Sequence, residues 1–514
     1  MEKKILVVDD DKAVVSSLSA LLTKSGYSVT ASYDGNDALT KISKGAEFDL
    51  IICDIRLPQI NGVDTIGRIK QYLKDNNKPE IPVIFITGYA DADLNKLAQE
   101  IGNLYLKPFD NKELLEGVRI EIERVPHDAK LNYNKNFVEE RRQWLSEKSG
   151  VKFSHISSYS IEPEDCRGNI ENFIGTAQIP LGVFGPLTVN GIHAKGTYYV
   201  PFATTEGALL STYQRGAIAI TKSGGARVSI HKDENHLDPV FILKNLEEAE
   251  NFVKWISNNF QALNDKVKEV TEHGKLISIT PYIMGRRVAL RVSYYTQDAM
   301  GANMISIATD RICRFISAQF KIEKYLLRSN LSSEKKASGV NMLIGYGKEI
   351  SVEAVIPRKI VTRHLNSSPE AIHSSWHTWA LGCFHANTIG ANAHFANGLA
   401  AIFIACGQDP AHVTNASVGI TIFEMLESGD LYTALKLPNI MVGTVGGGTA
   451  LGTQRECLEI IGCYGKGKSK KFAEIVAASL LAGEIGICAG ITSDEFLKPH
   501  VEARAHTRDK AFDQ

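Results

Sequence analysis

Residues 5–11 read ILVVDDD, four apolar residues running straight into three carboxylates. An aliphatic run that short fits a buried strand, and its acidic end puts charge where the strand stops. Two similar runs follow, FDLIIC at 48–53 and IPVIFIT at 81–87, with amphipathic stretches such as AVVSSLSALLTKS (13–25) and 35–44 between them. Buried strands alternating with helices predict a doubly wound, parallel α/β sheet. Ligands of such sheets bind beyond the carboxyl ends of the strands. At those ends stand Asp9 and Asp10, Asp54, Thr87 and Lys107. Clustered carboxylates repel unless a cation neutralises them, and a hard oxygen site with few protein ligands suits Mg²⁺. Terminal Asp and Thr residues also cap helices, but so many fitting residue types at strand ends favour a site.

The whole chain has 514 residues, which at roughly 100–200 residues per domain predicts about three domains. Apolar residues make up 44% and charged residues 22%, with a formal net charge of −1. That balance gives no support to a nucleic-acid or membrane-surface partner. The eight cysteines contain no CxxC pair, which argues against a zinc ribbon, a redox motif or a disulfide framework. The N-terminus turns acidic after four apolar residues, unlike a signal peptide, and no uncharged apolar run is long enough to span a bilayer. The expectation is a reduced, cytoplasmic protein.

Downstream, the polar stretch 119–160 contains Phe137, Val138, Trp144 and Leu145 among charges, so a helix is expected over 136–148. IENFIGTAQIPLGVFGPLTVNG (170–191) reads as short strands and tight turns. In VPFATTEGALLSTYQRGAIAI (200–220) a loop opens a helix that Thr204 or Thr205 could cap. Glu206 would then lie in the first turn, which suits the helix dipole without any functional role. RRVALRVSYYTQDAMGANM (286–304) is an alternating strand followed by Asp298 and a turn of small residues, and the pair Lys335–Lys336 has the look of solvated surface. The apolar helix within 389–410 ends in Gly407-Gln408-Asp409-Pro410. An Asp so placed needs a partner, since burial disfavours its charged form. In IMVGTVGGGTALGTQ (440–454) glycines precede a helix, where free N–H groups can meet a phosphate. The run is neither GxGxxG after a strand nor a Walker A loop, and a structural turn fits it as well as a dinucleotide site.

Two resemblances organise these observations. Residues 1–122 resemble a response-regulator receiver domain of flavodoxin-like fold. The resemblance implies that Asp54 accepts a phosphoryl group from a histidine kinase. It further implies that Asp9, Asp10 and Asp54 hold Mg²⁺ and that Thr87 and Lys107 contact the phosphoryl oxygens. Tyr105 stands two residues before Lys107, where that family's switch aromatic usually stands three before.

ENFIG…IPLGVFGPL, ATTEG, DAMGANM, NAHFAN, GQDPA and VGTVGGGT occur in one order over 170–514. They resemble class I 3-hydroxy-3-methylglutaryl-CoA reductases. The implied architecture is a linker at 123–135, then an α+β catalytic domain at 136–514 with a ferredoxin-like cofactor subdomain inserted at about 228–327. The implied assembly is a homodimer, or a higher oligomer, with active sites between subunits. The implied reaction reduces a CoA thioester twice with NADPH (NADH being the alternative) to mevalonate and free CoA. Lys335 would face the oxyanion, Glu206 would donate a proton, and Asp409 would couple the two. His500 in LKPH would protonate the CoA thiolate, with His506 the competing match. Asp298, Met300, Gly301, Asn303, Met304, Gly446 and Gly447 would contact the dinucleotide, and Lys336, Glu334 and Asn397 the substrate.

The chain departs from that family at several positions. Glu334 replaces an Asp before the lysine pair, and Leu237-Asp238 stands where an Arg usually grips the substrate carboxylate. Arg328 occupies a small serine's place, Tyr294-Tyr295 a Ser/Arg pair, and His412-Val413 a pair of amides. With the catalytic quartet retained, two further functions stay open: reduction of a different acyl thioester, and a phosphorylation-controlled scaffold without turnover.

Overall fold

The computed structural model describes residues 3–493 apart from 77, 89–91, 127–131 and 273. His500 and His506 therefore lie outside the described residues. The chain divides into two compact units, Met1–Ala177 and Gln178–Gln514.

The first unit opens with five parallel strands: β1 (Lys4–Val8), β2 (Ser28–Ser32), β3 (Leu50–Asp54), β4 (Val83–Thr87) and β5 (Asn103–Leu106). Their order in the sheet is β2-β1-β3-β4-β5. Helices α1 (Lys12–Lys24), α2 (Gly35–Ser43), α3 (Gly62–Asp75), α4 (Ala92–Ile101) and α5 (Asn111–Glu123) cover both faces. Because β1, β3 and β4 are buried on both sides, they read as continuous apolar runs rather than alternating ones. The order reverses between β1 and β3, and Asp9 and Asp54 emerge at that switch point.

Helix α6 (Lys135–Ser149) starts at the Asn134 cap and stops at Gly150, whose φ of 72° only a residue without Cβ adopts freely. On it, Arg141 is fully buried and donates to the backbone carbonyls of Pro126 (2.9 Å) and Phe173 (2.6 Å).

The second unit is built on a ten-stranded sheet. Its elements begin with β6 (Leu181–Asn190), β7 (Lys195–Ala203), α7 (Leu209–Lys222), β8 (Ala226–Leu237) and β9 (Val240–Ile242). There follow α8 (Leu246–Asn258), α9 (Phe260–Lys268), β10 (Lys275–Met284), β11 (Arg287–Tyr295), α10 (Ala302–Gln319) and β12 (Lys324–Leu326). Then come α11 (Gly339–Ile344), β13 (Gly347–Ile356), α12 (Arg358–His364), α13 (Pro369–His385), α14 (Phe395–Ala405) and α15 (Val413–Ala416). The unit closes with β14 (Ile420–Met425), β15 (Leu431–Ile440), α16 (Gly452–Ile460) and α17 (Ser469–Thr492).

Within it, β9-α8-α9-β10-β11-α10-β12 forms its own antiparallel sheet, ordered β12-β9-β11-β10, over a separate apolar core. That strand order with two helical crossovers is the ferredoxin-like arrangement. The long β8 joins both parts, since its first half pairs β13 and its last residues pair β11.

The main core wraps α17. This helix is long and apolar enough to cross a membrane, yet it is buried along nearly all its length inside the unit. It packs closely on α7 because glycines let the backbones meet. A Cβ at Gly216 would stand 1.9 Å from the carbonyl oxygen of Ala482, and one at Gly486 2.0 Å from that of Thr212. Two carboxylates on this apolar helix need partners. Glu474 accepts the backbone N–H groups of Ile192 (3.2 Å) and His193 (2.9 Å), and Glu484 lies beneath the start of α14.

Candidate functional site

In the first unit, the strand-end residues converge as their spacing predicts. Carboxylate oxygens of Asp9, Asp10 and Asp54 lie within 4.8 Å of one another. Lys107 Nζ sits 2.6 Å from Asp9 and also bonds Asp54. Burial pushes the Asp9 carboxyl up, while the bond to Lys107 works the other way. Lys107 itself is raised: burial opposes its charge, and the hydrogen bonds to Asp54 and Asp9 outweigh it. Thr87 is buried at the end of β4. Tyr105 is half-buried, and a Cβ at Gly117 would meet its hydroxyl at 2.1 Å, so the ring is lodged against α5.

In the second unit, two polar pairs stand out. Lys335 Nζ bonds Asp409 Oδ2 at 2.6 Å. Lys335 has φ 57°, a left-handed backbone in a loop that also holds Asn330 and Ser333 left-handed. Asp409 caps the short 3₁₀ turn that follows it, accepting the N–H of Ala411 at 3.0 Å. Partial burial would raise its carboxyl, but Lys335 and that N–H hold it below the usual range.

The second pair is Glu206 with Asn397, whose side-chain amide donates to both carboxylate oxygens at 3.0 and 2.9 Å. Glu206 lies in a loop before α7 rather than in its first turn. The helix starts at Leu209 after a left-handed Ala208, and Thr204 Oγ1 instead accepts the N–H of Glu206 at 3.0 Å. Neither threonine therefore caps α7. Beside this pair is a cavity of about 390 Å³, lined by Glu206, Asn397, His394, Leu209, Ile487 and Ile491. Burial pushes His394 down to about 4, so its ring is neutral at ordinary pH.

The expected coupling of Glu206 to Asp409 is absent within one chain. No hydrogen bond or ion pair joins the two pairs among the described residues, and they stand at opposite ends of α14. Eleven helical residues span about 16 Å.

The glycine-rich run has a divided role. Gly443 and Gly448 face the chain's own backbone: a Cβ would stand 2.6 Å from the N of Met300 and 2.8 Å from the O of Gly407, respectively. Gly446 and Gly447 have left-handed φ of 75° and 55° with open space where a side chain would be. The loop thus locks the Asp298–Gly301 turn to the Gly407–Asp409 turn while presenting bare backbone outward. Thr444 N–H donates to Asp298 O at 2.8 Å. The Asp298 carboxylate accepts the N–H groups of Gly467 (2.7 Å) and Ser469 (3.1 Å), which fastens the turn to the start of α17. Gly301, left-handed at 89°, precedes α10, whose first turn carries Asn303 and Met304. Met304 packs into the small core. Glu334 is nearly buried, and exposed Lys336 reaches its backbone carbonyl at 3.4 Å.

Sequence reasoning did not single out Glu484. It accepts the N–H of His394 at 2.6 Å and the hydroxyl of Thr421 at 2.6 Å, and burial pushes it up to about 7. A carboxylate deep within an apolar run, here one of two on α17, was the available signal.

Comparison with known proteins places these features. Residues 137–505 match the family described as hydroxymethylglutaryl-coenzyme A reductase, and residues 5–119 match the response regulator receiver domain. A 3-hydroxy-3-methylglutaryl-coenzyme A reductase of Pyrococcus horikoshii is 44% identical over 369 residues, covering 70% of this chain and 89% of that protein. The enzyme of Methanothermobacter thermautotrophicus is 42% identical over 396 residues, covering 76% and 98%. Among solved structures, the class II 3-hydroxy-3-methylglutaryl-CoA reductase of Streptococcus pneumoniae bound to NADPH shares the fold at 17% identity. Its TM-score is 0.53, and the match covers 75% of this chain and 98% of that one.

Proposed function

This chain belongs to the hydroxymethylglutaryl-coenzyme A reductase family of oxidoreductases and carries a receiver domain, and we propose that it reduces 3-hydroxy-3-methylglutaryl-CoA to mevalonate and CoA with two NADPH. The Lys335–Asp409 pair is the observation that carries this. Hydride addition to a carbonyl leaves negative charge on its oxygen, and an ammonium fixed beside that oxygen stabilises the charge where it develops. Asp409 holds Lys335 in that position. Glu206 delivers the proton, with both its oxygens oriented by Asn397. Neutral His394 beside it adds no competing charge. His500 protonates the departing thiolate.

The nicotinamide supplies hydride when bound, as NADPH is bound in the pneumococcal relative. Open backbone at Gly446–Gly447 and the free N–H groups at the start of α10 suit its phosphates. The separation of Glu206 from Lys335 along α14 supports a homodimer in which each active site takes one pair from each chain. All eight cysteines are unpaired, in keeping with a cytoplasmic setting.

The test is NADPH oxidation with 3-hydroxy-3-methylglutaryl-CoA by purified protein. Lys335→Ala should lower kcat by about 10²–10³; undiminished turnover in that variant would sink the assignment. A different acyl thioester is the second reading. It is favoured by Leu237, whose buried apolar side chain stands where the family presents an arginine. Faster oxidation with another acyl-CoA would decide for it.

In the receiver, Asp54 accepts a phosphoryl group from a histidine kinase, and Thr87 and Lys107 take its oxygens. Asp9, Asp10 and Asp54 form an oxygen-only cluster that fits Mg²⁺, which would neutralise charge on the transferring group.

A further inference from the structure

Beneath the loop 328–336 lies a buried polar layer that the reaction above does not use: His236, Asp238, Arg291, Asn341, Tyr346 and His412. Asp238 is satisfied, accepting from Arg291 at 3.0 Å and His236 at 3.0 Å, so Arg291 is not free to bind an acid. The Tyr346 ring lies between His236 (4.8 Å) and His412 (6.4 Å). His412 is where this layer meets the loop.

The hydrogen on His412 can be placed. The Asn415 side-chain nitrogen donates to the carbonyl of Asn439 at 3.2 Å, so the Asn415 oxygen is the atom 2.9 Å from His412 Nδ1. Nδ1 therefore carries the hydrogen, and in the neutral ring Nε2 is a bare acceptor. That Nε2 is buried, lacks a hydrogen-bond partner, and lies 4.0 Å from Glu334 Oε1. Two acceptors facing each other away from water call for a proton. The other oxygen of Glu334 accepts from Arg328 at 2.6 Å. Arg328 also donates to Ser306 Oγ at 2.7 Å and remains half exposed.

We propose that Glu334 is a counter-ion shared between Arg328 and His412: when the distal carboxylate of the acyl substrate takes Arg328, His412 binds a proton at Nε2 and holds Glu334. The proposal rests on the reductase reading. Its basis is charge balance. In the free site Arg328 and Glu334 cancel. A bound carboxylate adds one negative charge, and a nearly buried Glu334 without a cation is costly. One proton from solvent restores the balance without breaking a covalent bond. The groups around His412 set the direction. Burial holds it in the neutral form, Lys335 opposes a charge, and Asp409 and Glu334 favour one. Removing Arg328 from Glu334 tips that contest toward the proton. His412 is thus a positioning residue, acting through Glu334 on the loop that presents Lys335.

Calorimetry of 3-hydroxy-3-methylglutaryl-CoA binding, in two buffers of different ionisation enthalpy, counts the protons taken up. Wild type should take up about one near neutral pH, and KM should rise about tenfold per pH unit on the alkaline side. His412→Gln donates an N–H to Glu334 without titrating, so both the uptake and the pH slope should vanish. Arg328→Ser, an exposed change that spares the core, should abolish uptake and raise KM. An acyl-CoA lacking the distal carboxylate should bind wild type without uptake. Uptake that survives in either variant, or no uptake in wild type, overturns the proposal. Proton-linked binding without NADPH oxidation would defeat the reductase reading alone, turnover without proton uptake this proposal alone, and no binding both.

Discussion

At the residue scale, the buried carboxylates are where charge and packing compete most openly. Glu484 is fully buried, with three N–H or O–H groups around it, and desolvation still wins, pushing it up to about 7 from 4.5. A carboxyl raised on folding contributes stability that is fully present below pH 4.5 and is lost as pH rises through 7. Between those limits wild type should lose about 3 kcal/mol relative to Glu484→Gln. Urea unfolding of both proteins at pH 5 and pH 8 reads the difference directly, and equal losses would mean that Glu484 is not the titrating group. Glu206, Lys335 and Asp409, to which the proposed function gives the chemistry, were legible in the sequence because each sits in a recognisable motif. Their partners were less so. Asp298 turned out to fasten the start of α17 through the N–H groups of Gly467 and Ser469, about 170 residues away in sequence. No local pattern announces a bond of that span. Glu484 was illegible for the same reason: its neighbours His394 and Thr421 come from two other elements.

At the scale of elements, patterning served well wherever burial was regular. The continuous apolar strands and the alternating helices of the first unit match their expected positions, and α6 extends one residue beyond each end of the expected 136–148. The start of α7 was misplaced because Thr204 spends its hydroxyl on a local turn, a competition that Ser and Thr often offer a helix. The ferredoxin-like order β12-β9-β11-β10 rests on pairings between strands distant in sequence, which single-chain periodicity does not encode. The close approach of α7 and α17 gives a sharp prediction here. Replacing Gly by Ala in a helix normally gains about 1 kcal/mol. At Gly216 the new methyl would stand 1.9 Å from the Ala482 carbonyl, inside any permitted contact, and α17, buried along nearly all its length, has no room to move aside. Overpacking of that kind costs about 1–3 kcal/mol or more. Gly216→Ala should therefore lower the thermal midpoint, whereas Gly224→Ala, exposed beyond the end of α7, tests only its left-handed backbone (φ 99°) and not packing. A Gly216→Ala protein as stable as wild type would show that the helices can separate.

At the scale of the whole molecule, the question is how a phosphoryl group on Asp54 could reach a reductase reaction. Lys107 bonds both Asp9 and Asp54, and a phosphoryl group on Asp54 would compete for its ammonium. Four residues beyond Lys107 begins α5, which ends at Glu123, three residues before Pro126. The buried Arg141 of α6 ties the carbonyl of Pro126 to that of Phe173, inside the ENFIG motif where the reductase match has already begun. Within the first unit, a displacement of α5 would thus reach Phe173 through one guanidinium. If phosphorylation of the receiver controls turnover, beryllofluoride with Mg²⁺, an imitation of the phosphoryl group, should change kcat/KM for 3-hydroxy-3-methylglutaryl-CoA by about 5-fold or more, the lower end of typical coupling. Asp54→Asn should abolish the change. Arg141→Ala should remove it too while leaving beryllofluoride binding intact, because that substitution cuts the tie without touching Asp9, Asp54 or Lys107. Since Arg141 is fully buried and its loss strands several carbonyls, its unfolding midpoint must be measured alongside. The milder Lys substitution, which keeps the charge but not the fork of donors, separates lost coupling from lost stability. A beryllofluoride response of equal size in wild type and in folded Arg141→Lys would mean that the signal travels by another route. No response in wild type would mean that fusion alone, and not phosphorylation, is what the receiver contributes.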